Sequence, residues 1–253
     1  MGTAVSTSPT QREPALVGQT VLLLGGSAGI GLETARLARA EGANVILVGR
    51  TPERLERAAQ EVGAQSTAAF DATDVEALER FFEAQPGPVD HVLVTAGGPH
   101  YQPLAEMDFA AARRTVEEHL WLPLQLARMA AGGRVRPGGS LVLMSGTGGR
   151  RPAVGLTVGG TLTAGSPALA ANLALEIAPI RVNVIAAGFV DTPLSASLLG
   201  DQLEARRAEL REKLPIGRVV EPEDVAALAI HLMTNTALTG ATFDIDGGQQ
   251  LVS

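Results

Sequence analysis

Short apolar runs alternate along the chain with segments in which apolar residues recur every three or four positions. Runs that are mostly apolar and stop at glycine or polar residues predict buried strands at 20–24, 45–48, 89–94, 140–144 and 181–185, with a weaker strand at 67–70. The helical spacing predicts helices at 30–42, 52–61, 75–83, 109–130, 169–178 and 221–233. Strands that alternate with helices are typical of a parallel sheet covered on both faces.

The predicted fold class is therefore α/β, a doubly wound parallel sheet in three α/β/α layers. Neither a repeat nor a linker interrupts the alternation, so we expect a single domain over 19–253. Residues 1–18 are polar and contain proline, which predicts a flexible tail rather than a secretory signal. Every apolar run is shorter than the roughly 20 residues that span a bilayer, and we expect a cytoplasmic protein.

Composition narrows the range of partners. Hydrophobic residues make up 45% of the chain and charged residues 19%, which is enough apolar material for a substantial core. A net charge of -7 argues against binding to nucleic acid or to an acidic membrane, and it favours small-molecule substrates. Because the chain has no cysteine, disulfides, thiolate metal sites and a cysteine nucleophile are excluded, and we expect no bound metal.

A glycine-rich segment lies between the first strand and the first helix. Small residues there allow a pyrophosphate to approach the backbone and the helix N–H groups. The predicted cofactor contacts in this loop are Gly25, Ser27, Ala28, Gly29, Ile30 and Gly31. The second strand ends at Arg50 without a carboxylate, and a guanidinium suits a 2′-phosphate. This favours NADP(H), with NAD(H) possible if Arg50 is only a solvated loop residue.

This loop resembles that of the short-chain dehydrogenase/reductase family, Thr-Gly-x-x-x-Gly-x-Gly, with Gly25 in place of the threonine. Further resemblances, in the family's order, lie at 71–74, 95–98, 181–193, 238–240 and 246–248. The likeness covers about 20–251 and implies a Rossmann-like dinucleotide-binding domain that forms a homotetramer or homodimer. It also implies cofactor contacts from Asp71, Ala72, Ala96, Gly97, Gly188, Val190 and Thr192.

The family's catalytic residues are missing. Its Tyr-x-x-x-Lys pair cannot exist in this chain, whose one tyrosine is Tyr101 and whose one lysine is Lys213. The resemblance places Gly159 at the tyrosine position and Thr163 at the lysine position. It also places Gly146 at the serine position and His119 at the position of the helix asparagine. All four positions of the family's catalytic set are therefore changed.

Two functional hypotheses follow. The first is an oxidoreductase in which His119, Tyr101 or His100 supplies the proton, since histidine titrates near neutral pH. Its substrate would be a small carbonyl, enone or imine. The second hypothesis is an inactive NADP(H)-binding sensor or subunit, in which these three residues are ordinary loop and helix residues. The polar helical stretch at 198–214 is a plausible lid in either case.

Overall fold

A computed structural model describes residues 13–252 and contains a seven-stranded, wholly parallel sheet. The strands are β1 (Thr20–Leu24), β2 (Asn44–Gly49), β3 (Ser66–Ala69), β4 (Val89–Val94), β5 (Val135–Gly146), β6 (Arg181–Ala187) and β7 (Thr242–Ile245). Their order across the sheet is β3-β2-β1-β4-β5-β6-β7. The predicted α/β class is confirmed.

Helices cover both faces of this sheet. They are α1 (Gly29–Ala40), α2 (Pro52–Val62), α3 (Val75–Glu83), α4 (Phe109–Val116), α5 (Leu122–Met129), α6 (Thr157–Glu176), α7 (Pro193–Leu199), α8 (Leu203–Lys213) and α9 (Pro222–Thr234). In β1, Leu22 and Leu24 belong to the apolar cluster that includes α3, α5 and α6. Val21 and Leu23 belong to the cluster that includes α1, α2 and α9. Alternate strand residues thus form two cores, one in each outer interface of the three layers.

The order of the strands creates a crevice. The chain passes from β1 to β2 on one side, and β4 then returns to the other side of β1. In open parallel sheets, ligands bind at the carboxyl ends of the strands where the order reverses in this way. The crevice in this protein therefore opens between the segments that follow β1 and β4.

The helix predicted at 109–130 is confirmed, since the backbone stays helical from α4 through a π-helical turn at Glu117–Trp121 into α5. The stretch at 198–214 is divided between α7 and α8 by a short turn at Gly200–Gln202. The clear helical pattern at 169–178 is the second half of α6, which begins twelve residues earlier, where glycines conceal the periodicity.

The prediction of a flexible tail over residues 1–18 is wrong for the last residues of that segment. Leu16 is 0% exposed, and its backbone N–H donates to the carbonyl of Glu41 at 2.9 Å. Residues 1–12, the rest of that tail, lie outside the described residues. No helix within 13–252 is both long enough and apolar enough to cross a membrane.

A buried histidine in β4 connects this strand to β5 and to the residue before β1, at a distance from the carboxyl ends of the strands. His91 of β4 lies 2.7 Å from Gln19 Oε1 through Nε2 and 2.8 Å from Ser140 Oγ through Nδ1. Burial, with a smaller contribution from the charge of Arg181, lowers the pKa of His91 to about 4. The imidazole is therefore neutral in the folded protein at neutral pH.

Candidate cofactor and active site

The glycine loop is packed directly against the end of β4. Gly25 has φ +101°, and a Cβ on this residue would lie 2.9 Å from the backbone nitrogen of Ala96. A Cβ on Gly31 would lie 2.8 Å from Thr95 Oγ1. The Thr95 hydroxyl is held in place, since it lies 3.1 Å from each of two loop carbonyls, those of Leu24 and Gly25. Glycine is therefore required at both positions for the loop to keep this path.

In the first turn of α1, the first three backbone N–H groups have no hydrogen-bond acceptor within residues 13–252. Its N-cap residue, Ala28, makes no side-chain capping bond, and the turn contains no acidic residue. Backbone N–H groups in this position attract anions. Thr192 faces the same turn, with its Cβ and Cγ2 each 3.4 Å from where a Cβ of Gly29 would lie. The loop, the helix start and Thr192 fit a pyrophosphate.

Arginines lie beside this loop. The side chain of Arg50, at the end of β2, forms no hydrogen bond or ion pair among residues 13–252, and the same is true of the Arg54 side chain on α2. A surface depression is lined by Arg54 and Arg57 of α2 together with Ser27 and Ala28 of the loop. Arg54 and Arg57 could not be recognised from the sequence, because only the fold places the first turns of α2 next to the loop.

Asp71, the predicted adenine-side acid, is partly engaged by the protein. Its carboxylate accepts hydrogen bonds from the Thr73 backbone at 3.1 Å and the Thr73 hydroxyl at 2.8 Å, and Arg114 lies 3.2 Å away. Burial alone would raise the pKa of Asp71, but these hydrogen bonds and the Arg114 charge outweigh it and lower the pKa. Its neighbour Ala72 is buried. A contact from either residue to adenine remains a prediction.

The segment after β4 is held by an acidic residue, Glu118, for which the sequence pattern predicted no role. Gly97 has φ +110°, and a Cβ there would lie 3.0 Å from both Cβ and Oε2 of Glu118. Oε2 of Glu118 also accepts a hydrogen bond from the Gly98 backbone at 3.2 Å. Glu118 belongs to the π-helical turn, a feature that often occurs at functional sites.

His119 follows Glu118 in the same turn. Its Nδ1 lies 3.1 Å from the carbonyl of Thr115, which can only accept a hydrogen bond, so Nδ1 carries the proton. Nε2 is therefore the nitrogen of His119 that can take up or release a proton. The turn ends at Trp121, which is 48% exposed.

The other two proton-donor candidates lie on the loop after Gly98. His100 Nε2 is buried without a hydrogen-bond partner among the described residues. Tyr101 is 65% exposed as a residue, but burial around its hydroxyl raises the pKa of the phenol, and the nearby charge of Arg206 only partly opposes this. Tyr101 therefore lacks the lowered pKa that a tyrosine acid–base group needs.

The backbone approaches closely at the positions of the missing catalytic residues. A Cβ on Gly159 would lie 3.2 Å from the carbonyl of His100, and a Cβ on Gly146 would lie 3.4 Å from Thr163 Cγ2. The Thr163 hydroxyl donates back to its own helix, at 2.9 Å from the carbonyl of Gly159. Gly149 packs against α6, where an added Cβ would lie 2.7 Å from the Gly160 carbonyl. None of these positions supplies an acid or a cation.

The remaining predicted cofactor contacts follow β6. A Cβ on Gly188 would lie 2.6 Å from Cβ of Asp246, and Val190 is buried in an isolated bridge with Val220. Both could therefore contact a cofactor only through their backbones. Thr192 caps α7, and its Oγ1 accepts a hydrogen bond from the Ser195 backbone at 3.2 Å.

The fold and its glycine loop are those of a dinucleotide-binding α/β protein. A family model described as enoyl-(acyl carrier protein) reductase matches residues 25–250. The short-chain dehydrogenase/reductase ATR9 of Stachybotrys chlorohalonatus is 31% identical, over 93% of this chain and 98% of its own length. The chain belongs to the short-chain dehydrogenase/reductase family of oxidoreductases.

Solved structures agree with this assignment. The MalC reductase/Diels-Alderase of Malbranchea aurantiaca superposes with a TM-score of 0.87 at 26% identity, covering 94% of this chain and 99% of that one. BdcA, solved in complex with NADPH, superposes with a TM-score of 0.81 at 28% identity, covering 92% of this chain and 95% of that one. A nicotinamide cofactor therefore fits both the family and the loop.

Proposed function

We propose that the protein is an NADP(H)-dependent oxidoreductase that transfers hydride to or from a small carbonyl, enone or imine, with a non-standard proton donor. The main support for this proposal is the glycine loop, in which Gly25 and Gly31 pack against the end of β4. The loop leads into the first turn of α1, which has no acidic residue and no side-chain cap. Glycine at these two positions lets the loop turn tightly against β4 and lead directly into the N-terminus of α1, where a pyrophosphate binds in this type of fold.

The choice of NADP(H) over NAD(H) rests on charge. Arg50, Arg54 and Arg57 lie at the end of β2 and in the first turns of α2, and the last residues of β2 include no carboxylate. Guanidinium groups bind phosphate, whereas a ribose 2′-hydroxyl is usually bound by an acid at this position. The NADPH in the BdcA structure agrees with this choice.

Each part of the chain then has a role. Backbone N–H groups of α1 would hold the pyrophosphate, and Ala96 and Gly97 would lie beside the nicotinamide, which would supply or accept the hydride. His119 Nε2 or His100 Nε2 gives the proton to the substrate heteroatom, or to carbon in an enone. Tyr101 is the weaker candidate, because its raised pKa makes it a poor acid.

The alternative, an inactive NADP(H)-binding sensor or subunit, has its own support. The carbonyl of His100 lies so close to Gly159 that even a Cβ there would be crowded. The site therefore has neither the usual acid nor ready space for it. Both proposals include a homodimer or homotetramer as the assembly.

The deciding experiment is a calorimetric titration of the purified protein with NADPH, NADP⁺, NADH and NAD⁺, followed by hydride-transfer assays on carbonyl, enone and imine substrates. NADPH binding with turnover supports the reductase. NADPH binding without turnover across the three classes supports the sensor or subunit. If none of the four dinucleotides binds, both proposals are wrong.

A further inference from the structure

The half of the crevice beyond β4 contains a carboxylate in direct contact with the backbone. Glu118 Oε2 is bonded to the Gly98 N–H at 3.2 Å and lies 3.0 Å from where a Cβ of Gly97 would be. In this type of sheet the adenosine half of a dinucleotide lies over β1 to β3, so its nicotinamide half lies over the segments after β4 and β5. Glu118 is thus a negative charge at the nicotinamide half.

No cation balances that charge. Among residues 13–252, Glu118 forms no ion pair. The family's lysine position holds Thr163, and the chain's one lysine, Lys213, bonds to Glu209 at 3.1 Å. The arginines closest to Glu118 along the chain do not pair with it, since Arg114 pairs with Asp71 and Arg113 forms no ion pair among the described residues.

We propose that Glu118 makes this site favour the oxidised cofactor, so that NADP⁺ gains affinity relative to NADPH from the Glu118 charge. The two forms differ in the ring, which carries a positive charge when oxidised and none when reduced. Their pyrophosphates, riboses and adenines are alike, so the ratio of the two affinities isolates the effect of charge near the ring. The inference rests on the proposed dinucleotide binding.

Glu118→Gln tests this directly. Glutamine keeps the length of the side chain and an oxygen that can accept the Gly98 hydrogen bond, and only the charge is lost. We expect the ratio of NADP⁺ to NADPH affinity to fall roughly threefold to tenfold at low salt, mainly through weaker NADP⁺ binding. The matched control is Glu117→Gln, a neighbouring exposed acid in the same turn, which should leave the ratio unchanged.

A second variant tests the same effect of charge on cofactor affinity by adding a positive charge instead of removing a negative one. Thr163→Lys places a cation at the family's lysine position, and it should shift the ratio toward NADPH by a similar factor. Calorimetry of the purified variants with each cofactor form gives both dissociation constants without any substrate.

The outcomes separate the two proposals. A selective loss of NADP⁺ affinity in Glu118→Gln supports the inference. An equal loss for both forms would mean that Glu118 only holds the Gly97–Gly98 backbone, and an unchanged ratio would mean that its charge is not felt; either result overturns the inference while the proposed function stands. If the unmodified protein binds neither form, both fail together.

Discussion

Arg207 and Asp191 form a bidentate ion pair, in which Nε and Nη2 of the arginine each lie 2.7 Å from a different carboxylate oxygen. Arg207 also pairs with Glu204 on its own helix. Asp191 immediately precedes Thr192, which faces the start of α1. The pair therefore ties α8 to the residue beside the proposed pyrophosphate site.

Replacing Arg207 should loosen the helices beside the crevice. In Arg207→Gln we expect faster amide hydrogen exchange over 193–213 and weaker NADPH binding, on the order of threefold. Arg211→Gln, on the same helix, is the control and should change neither. If exchange over α7 and α8 is the same in both variants, the ion pair does not hold these helices.

The glycine loop permits a direct test of the cofactor site. In Gly31→Ala the new Cβ would lie 2.8 Å from Thr95 Oγ1, so we expect at least tenfold weaker NADPH binding and a loss of about 1–3 kcal/mol in the free energy of unfolding. Gly165→Ala in α6 has open space around its Cβ and should be neutral or slightly stabilising. Calorimetry and urea unfolding measure both effects. Undiminished NADPH binding by Gly31→Ala would place the cofactor elsewhere.

The arginines beside the loop should discriminate between the two cofactors. We expect the double variant Arg54→Gln/Arg57→Gln to bind NADPH roughly tenfold more weakly and NADH almost unchanged, because only NADPH carries the 2′-phosphate. Arg80→Gln, an exposed arginine on α3, serves as the control. Parallel losses for NADPH and NADH would show that these arginines act on the shared part of the cofactor.

The proton donor can be identified once a substrate is known. His119→Asn, His100→Asn and Tyr101→Phe should be compared, with turnover expected to fall at least about tenfold for the histidine that acts. The change should appear in kcat more than in KM, because the proton moves only in the chemical step. If all three variants keep full turnover, the proposal of a substitute acid is wrong.

The buried histidine predicts a pH dependence of stability. The pKa of His91 is about 4 in the folded protein and near 6.5 when unfolded, so between pH 6.5 and pH 4 the unfolded chain binds more protons at this residue than the folded one. His91 should therefore lower the free energy of unfolding by roughly 2–3 kcal/mol between pH 7 and pH 4.5. Urea unfolding at both values should show this loss reduced in His91→Gln but retained in His231→Gln. Equal pH dependence in the two variants would exclude His91 as its source.

The sequence predicted those elements whose signals are local. β1, α3 and β4 have the predicted ends because apolar runs stop at polar residues and Asp74 caps α3 by accepting from the Ala77 N–H at 3.0 Å. The π-helical turn has no such signal, because the apolar spacing over 109–130 predicts a single regular helix. The candidate site shows the same difference between local and distant signals. The glycine loop is one continuous stretch of sequence and could be predicted, whereas Glu118 contacts Gly98 only after the chain has folded.

The π-helical turn also ends in the chain's one tryptophan, Trp121, three positions after Glu118. Indole emission from this protein therefore reports on a single place, beside the proposed nicotinamide site. Reduced nicotinamide absorbs in the range where indole emits, while the oxidised ring does not. Energy transfer from Trp121 would thus allow the redox state of the bound cofactor to be followed by light, without a label and before any substrate is known.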